Sequence, residues 1–159
     1  MKEVKVTIDG KTVKAEEGQT ILEVAKNNGI RIPTLCAMQE INHYPGSCRM
    51  CVVEIERMAC LPASCVYPVR EGMIICTNNE RVRKARKTIL ELLISTHPLD
   101  CMTCEKNGEC DLQDLAYEYG IKESSFGRTE KNFPIDNSNP FILRDLNKCI
   151  LCRRCIEVC

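Results

Sequence analysis

The chain has 159 residues, enough for about one ordinary domain, and its 22 Lys and Arg balance 22 Asp and Glu to leave no formal net charge. That balance gives no overall field for nucleic acid or an anionic membrane, and the most apolar stretch, residues 89–94, is too short for a membrane span and contains Glu91. Thirteen cysteines, about 8 % of the chain, dominate what is left.

Residues 1–15 are expected to form a β-hairpin. Val4, Val6 and Ile8 alternate with polar residues, Asp9-Gly10 suits a two-residue turn with positive φ, and residues 12–15 return. Thr20 with Glu23 makes a capping box ahead of Ile21, Leu22, Val24 and Ala25, and Gly29 closes that helix in the left-handed conformation. A loop holding Cys36 follows, giving a small α+β unit that reaches to about residue 80.

Residues 79–96 are expected as a second helix, with Val82, Ala85, Ile89, Leu92 and Leu93 on its apolar face and Arg83, Lys84 and Lys87 opposite. Leu90 and Ile94 fall off that face, which predicts cover on two sides of the second half. Lys84, Arg86 and Lys87 read as a solvated face, with a docking patch for an acidic partner as the alternative. Residues 97–120 carry a cysteine loop and a short helix over 112–119 closed by Gly120. Residues 121–140, with their Ser, Asn, Gly and Pro, read as a connector.

The cysteine pattern opposes a secreted disulfide scaffold. The first residues lack the apolar core of a signal peptide, the count is odd, and most cysteines lie two or three residues from another. Metal-bound thiolates in a reducing cytoplasm are the expectation.

Three constellations carry the chemistry. The first is Cys36, the Cys48/Cys51 pair and a distant fourth, Cys65 or else Cys60. Four soft thiolates cap the two tetrahedral irons of a [2Fe-2S] cluster, and Gly46 and Ser47 are small enough to let backbone N–H groups approach sulfur. Structural zinc is the rival at this site. Cys60 and Cys76 read as small buried hydrophobes. The second is His97, Cys101, Cys104 and Cys110, four ligands for zinc or for one [4Fe-4S] cluster, with His97 open at this point to a plain helix-end role. His43 reads as a loop residue. The third is Cys149, Cys152, Cys155 and Cys159, the C-x2-C-x2-C-x3-C run of bacterial ferredoxins, in which the first three hold one [4Fe-4S] cluster and the fourth serves another. The fourth ligand of the third site is then either Cys159 or missing, so the sequence is expected to be a segment of a longer chain.

Cys48-Arg49-Met50-Cys51, Ala63-Ser64-Cys65, His97-Pro98-Leu99-Asp100-Cys101, Gly108-Glu109-Cys110-Asp111-Leu112-Gln113 and Lys148-Cys149-Ile150-Leu151-Cys152 together resemble a known family. It is the amino-terminal iron–sulfur region shared by [FeFe] hydrogenases, the large iron–sulfur subunit of NADH:quinone oxidoreductase and NAD-linked formate dehydrogenases. The resemblance implies an α+β fold in four parts. These are a ferredoxin-like β-grasp domain with [2Fe-2S] over 1–80, a His/Cys3 [4Fe-4S] segment over 81–121, a connector over 122–140 and the start of a two-cluster ferredoxin domain over 141–159. It also implies His97 as an iron ligand.

The function expected is an electron relay without a catalytic centre of its own. No Gly-rich phosphate loop is present, so nicotinamide and flavin are expected on a partner subunit of an oxidoreductase complex, with ferredoxin as another partner. A zinc-stabilised structural or nucleic-acid-binding module is the alternative; neutral charge and the absence of Trp weigh against it.

Overall fold

The computed structural model describes residues 2–159. Strands β1 (Glu3–Ile8) and β2 (Lys11–Glu16) pair antiparallel, Val4 opposite Ala15 and Val6 opposite Val13, in the register the alternation demands. Asp9 and Gly10 join them at φ values of 50° and 80°, the turn whose twist matches the strands. Two further strands, β3 (Glu54–Ile55) and β4 (Ile74–Cys76), complete a sheet of order β2-β1-β4-β3, with β4 parallel to β1 and antiparallel to β3. The Asp9 carboxylate accepts hydrogen bonds from the Thr77 N–H at 2.7 Å and the Thr77 hydroxyl at 2.5 Å, which ties the hairpin turn to the end of β4.

Helix α1 (Ile21–Asn27) starts as its capping box dictates: the Thr20 hydroxyl accepts from the Glu23 N–H, and the Glu23 carboxylate accepts from the Thr20 N–H at 2.7 Å. Gly29, at φ 71°, takes the chain out of the helix. Ile21, Val24 and Ala25 share one core with Val4, Val6, Ile8, Val53, Ile55, Val69 and Ile75. Cys51 and Cys65 belong to the same core, so the scaffold and the first cysteine constellation are built together.

Helix α2 (Glu80–Ser95) is capped by Asn79, whose side-chain oxygen accepts from the Val82 N–H at 2.9 Å. Its buried row is Val82, Arg86, Leu90 and Ile94, at four-residue spacing. The expected face is therefore displaced: Leu92 is 49 % exposed, and Leu90 and Ile94 line the buried side instead of marking a second one. Arg86, read from sequence as part of a basic surface, is only 2 % exposed, because its guanidinium Nη2 donates to the Val52 carbonyl at 2.7 Å and draws the helix in along that row. A patch of Lys84, Arg86 and Lys87 accordingly does not form.

Helices α3 (Asp111–Glu118) and α4 (Arg154–Val158) follow, with Gly120 at φ 65° beyond α3. Cys60 is exposed rather than buried, since it lies on the reversal that brings Ala63 back against Val52; Cys76, at the end of β4, is half-buried. Internal contacts divide the chain into two units, one running up to Arg86 and including Cys152–Cys159, the other Lys87–Leu151. No helix among the described residues is long and apolar enough to cross a membrane.

Candidate metal centres

Cys36, Cys48, Cys51 and Cys65 are all buried and all free thiols, with no more than 5 % exposure at any of them. The loop that carries Cys36 and Cys48 is shaped by backbone in the left-handed region at Asn42 (φ 53°), Gly46 (φ 63°) and Arg49 (φ 61°). Gly46 is suited to this, because a β-carbon there would meet Val66 at 3.4 Å on a backbone that side chains disfavour. On the facing segment, the Ser64 N–H donates to the Cys51 carbonyl at 3.0 Å across the bridge between Val52 and Ala63, which sets Cys65 beside Cys51.

The four sulfurs form two hydrogen-bonded pairs. The bond from Cys48 holds the Cys36 thiol down at about 5, helped by N–H donors of Cys48 and Ser47 and opposed by burial. The bond from Cys65 likewise holds Cys51 down at about 6, opposed by burial and helped by the Cys65 N–H. The partner thiols, Cys48 and Cys65, are pushed up by those same bonds and then by burial. The Cys48 N–H points at the Cys36 sulfur from 3.5 Å. Two adjacent thiolate-prone pairs, ringed by N–H donors and free of disulfides, fit a site in which each of two tetrahedral irons takes two protein sulfurs. Tyr44 borders this site, and its hydroxyl is held above its ordinary range by burial and then by the charges of Glu23 and Glu40.

In the second unit, the end of α2 and the start of α3 face one cavity of about 550 Å³ that His97, Cys101 and Cys110 all line, with Ile94, Leu99 and Leu112 as apolar walls. The His97 Nδ1–H donates to the Pro98 carbonyl at 2.8 Å, which leaves Nε2 as the nitrogen with a lone pair to offer. Cys104 ends the turn Cys101–Thr103 and lies within the electrostatic reach of Lys148, whose ammonium pairs with Asp100 at 3.1 Å. Asp100 is held below its ordinary range chiefly by that hydrogen bond. An imidazole nitrogen and two cysteines on one cavity are a donor set that suits an iron–sulfur cluster or zinc. Among the described residues, no three His, Cys, Asp or Glu side chains close around a single-ion position.

The third run divides between the two units. In the second unit, Leu151 takes φ 58° and its N–H donates to the Cys149 sulfur at 3.4 Å, while Lys131 donates to the Cys149 carbonyl. In the first, Arg153 takes φ 64° ahead of α4, which presents Cys155 and Cys159 at the surface. Arg49, Leu151 and Arg153 each stand between two cysteines of a C-x2-C step. Left-handed backbone is unfavourable for such residues and turns N–H groups toward a central anion, the geometry of a ligand loop.

Three residues escaped the sequence reading. His43 is 6 % exposed, pairs with Met38 through two backbone bonds, and donates from Nε2 to the Cys152 carbonyl at 3.1 Å. No local signal separates it from a loop histidine, since its partner lies more than a hundred positions away. Ser64, fully buried, sits beside the Cys51 sulfur. Arg86 shares the 82, 86, 90, 94 row, but the periodicity of the helix does not say which of its rows is buried.

The family described as the 2Fe-2S iron-sulfur cluster binding domain matches residues 1–80, and the NADH-ubiquinone oxidoreductase-G iron-sulfur binding region matches 86–125. The NADP-reducing hydrogenase subunit HndD of Solidesulfovibrio fructosivorans is 48 % identical over 97 % of this chain and 27 % of its own length. The mitochondrial NADH-ubiquinone oxidoreductase 78 kDa subunit of Candida albicans is 40 % identical over 98 % and 22 %. The chain therefore spans about a quarter of these relatives. A crystal structure of an NAD+-reducing [NiFe]-hydrogenase in the H2-reduced state superposes with a TM-score of 0.90 at 38 % identity, covering 97 % of this chain and 64 % of that one. That hydrogenase type lies outside those named from the sequence.

Proposed function

Because this chain belongs to the family of 2Fe-2S iron-sulfur cluster binding domains and continues into the iron–sulfur binding region of NADH-ubiquinone oxidoreductase G subunits, we propose that it relays single electrons inside a larger oxidoreductase. The observation that carries this reading is the burial of Cys36, Cys48, Cys51 and Cys65 as free thiols, none more than 5 % exposed. Cys36, Cys48, Cys51 and Cys65 hold [2Fe-2S]. His97, Cys101, Cys104 and Cys110 hold one [4Fe-4S] cluster. Cys149, Cys152 and Cys155 begin a second [4Fe-4S] site whose fourth ligand is Cys159 or a group outside this sequence; in a two-cluster ferredoxin domain Cys159 serves the other cluster.

Such clusters, when bound, supply reversible one-electron storage. The chain's own part is to fix their order, shield them, and set how readily each takes an electron. The buried thiols of the first site exclude water, and the N–H groups of Ser47, Cys48 and Cys65 offset negative charge on sulfur. At the second site, a neutral imidazole in place of a thiolate makes the surroundings less negative and favours reduction. The names of the relatives suggest NAD(P)H on one side and hydrogen or a quinone on the other; a flavin-binding partner subunit and a formate-oxidising centre are added by the family resemblance. Ferredoxin is a further partner of this kind. Thirteen thiols without a disulfide accord with a reducing cytoplasm.

The test is an anaerobic count of iron, acid-labile sulfide and zinc per chain, with electron paramagnetic resonance at stepped potentials. About six irons mean two filled sites and about ten mean three. His97→Cys should keep the second cluster and move its potential to more negative values. Zinc without sulfide, from cells able to assemble clusters, would overturn the relay and leave a structural module.

A further inference from the structure

The proposed relay has an unassigned buried charge beside it. Arg86 projects from α2 into the core, 2 % exposed, with its Nη2 on the Val52 carbonyl at 2.7 Å and its Nε without a hydrogen-bond partner. No acidic side chain forms an ion pair with it among the described residues. Val52 follows Cys51 directly and bridges to Ala63, two residues before Cys65, so the guanidinium is anchored on the segment that carries one thiol pair. A buried cation without a counter-ion is costly, and an aliphatic side chain of similar length would fill the same space without that cost. The charge makes sense if an anion belongs next to it.

Two ferric ions, two sulfides and four thiolates form a dianion, and one added electron makes a trianion. A fixed positive charge nearby favours the second state over the first. We infer that Arg86 is the resident counter-charge of the Cys36/Cys48/Cys51/Cys65 site and raises its reduction potential. This rests on the relay reading of those cysteines. Among the described residues Arg86 makes no hydrogen bond to sulfur; it acts across the Cys51–Val52 segment as a potential-setting residue, anchored by its hydrogen bond to Val52.

The experiment is an anaerobic potential titration of the full chain, reconstituted with iron and sulfide, following the [2Fe-2S] paramagnetic signal in wild type and in Arg86→Gln, Arg86→Met and Arg86→Lys. The neutral variants should keep the iron and sulfide content and line shape while losing about tenfold in reduced fraction at a fixed potential, equal to about 59 mV for one electron. Arg86→Lys, which keeps the charge, should titrate near wild type. Should Arg86→Gln fail to assemble, Arg86→Met carries the comparison. Unchanged potentials in a neutral variant, or Arg86→Lys shifting as far as the neutral variants do, would overturn the inference and leave the relay standing. Loss of the cluster in both neutral variants but not in Arg86→Lys would also overturn it, assigning Arg86 to assembly. A wild-type chain that takes up no [2Fe-2S] cluster would sink the relay reading itself.

Discussion

The unit up to Arg86 and the unit from Lys87 to Leu151 solve the same problem with different means. The first buries Val4, Val6, Ile8, Ile21, Val24, Val53, Val69 and Ile75 almost completely, in a sheet and helix with matched caps and turns. The second buries Leu90, Ile94, Leu112, Leu115, Tyr119 and Ile121, while Phe126, Phe133, Ile135 and Phe141 stay exposed. Each fully buried aliphatic side chain contributes about 1.5–3 kcal/mol, so the first unit has a core to stand on, whereas the second, with fewer such side chains, is expected to depend on the metal bound at its cysteines.

Anaerobic chelation of the protein should break this comparison open with the largest effect. Amide hydrogen exchange should rise throughout residues 97–120, while β1, β2 and α1 stay protected. Equal loss of protection in both units would show that the first core does not stand alone.

Within that first core, Ile21→Ala removes a side chain with no exposure at the junction of helix and sheet. It should cost about 2–5 kcal/mol in urea unfolding of the metal-free chain. A much smaller loss would mean that this region, too, depends on metal. Thr20→Ala should cost about 1 kcal/mol in the same assay, since it leaves the Glu23 N–H without its cap.

The smallest effect is expected at Glu54, whose carboxyl is held below its ordinary value of 4.5 by hydrogen bonds from Arg81 and then Asn79. A depressed carboxyl adds stability that is present above its unfolded value and is lost as pH falls through the folded one. Glu54→Gln should therefore lower the unfolding midpoint slightly at about pH 7, and the difference should fade in acid below the ordinary carboxyl range. A difference that persists there would assign the effect to packing.

The hairpin, the capping box and the helix ends were legible in the sequence because each is decided by neighbours: alternation sets a strand face, and Asp9-Gly10 or Thr20 with Glu23 satisfies backbone groups a few residues away. The cysteine spacings were legible as a motif, but the sulfurs that lie together in the first site, Cys36 with Cys48 and Cys51 with Cys65, meet across loops rather than within a C-x2-C step. The different surroundings of Cys65 and Cys60 were not legible in that way. They depend on the antiparallel bridge between Val52 and Ala63, which places Cys65 in the core beside Cys51 and sends Cys60 to the surface.

Composition, spacing and periodicity by themselves thus narrowed the chemistry to thiolate-bound iron or zinc and determined the local elements that frame it, and the resemblance to a known family selected iron–sulfur. Tertiary structure alone decided which way α2 faces, that Arg86 is a buried cation rather than a surface one, and that His43 reaches the Cys152 carbonyl. Burial of a charged or titratable side chain depends on partners far along the chain, and no local pattern encodes what will stand opposite once the chain has closed on itself.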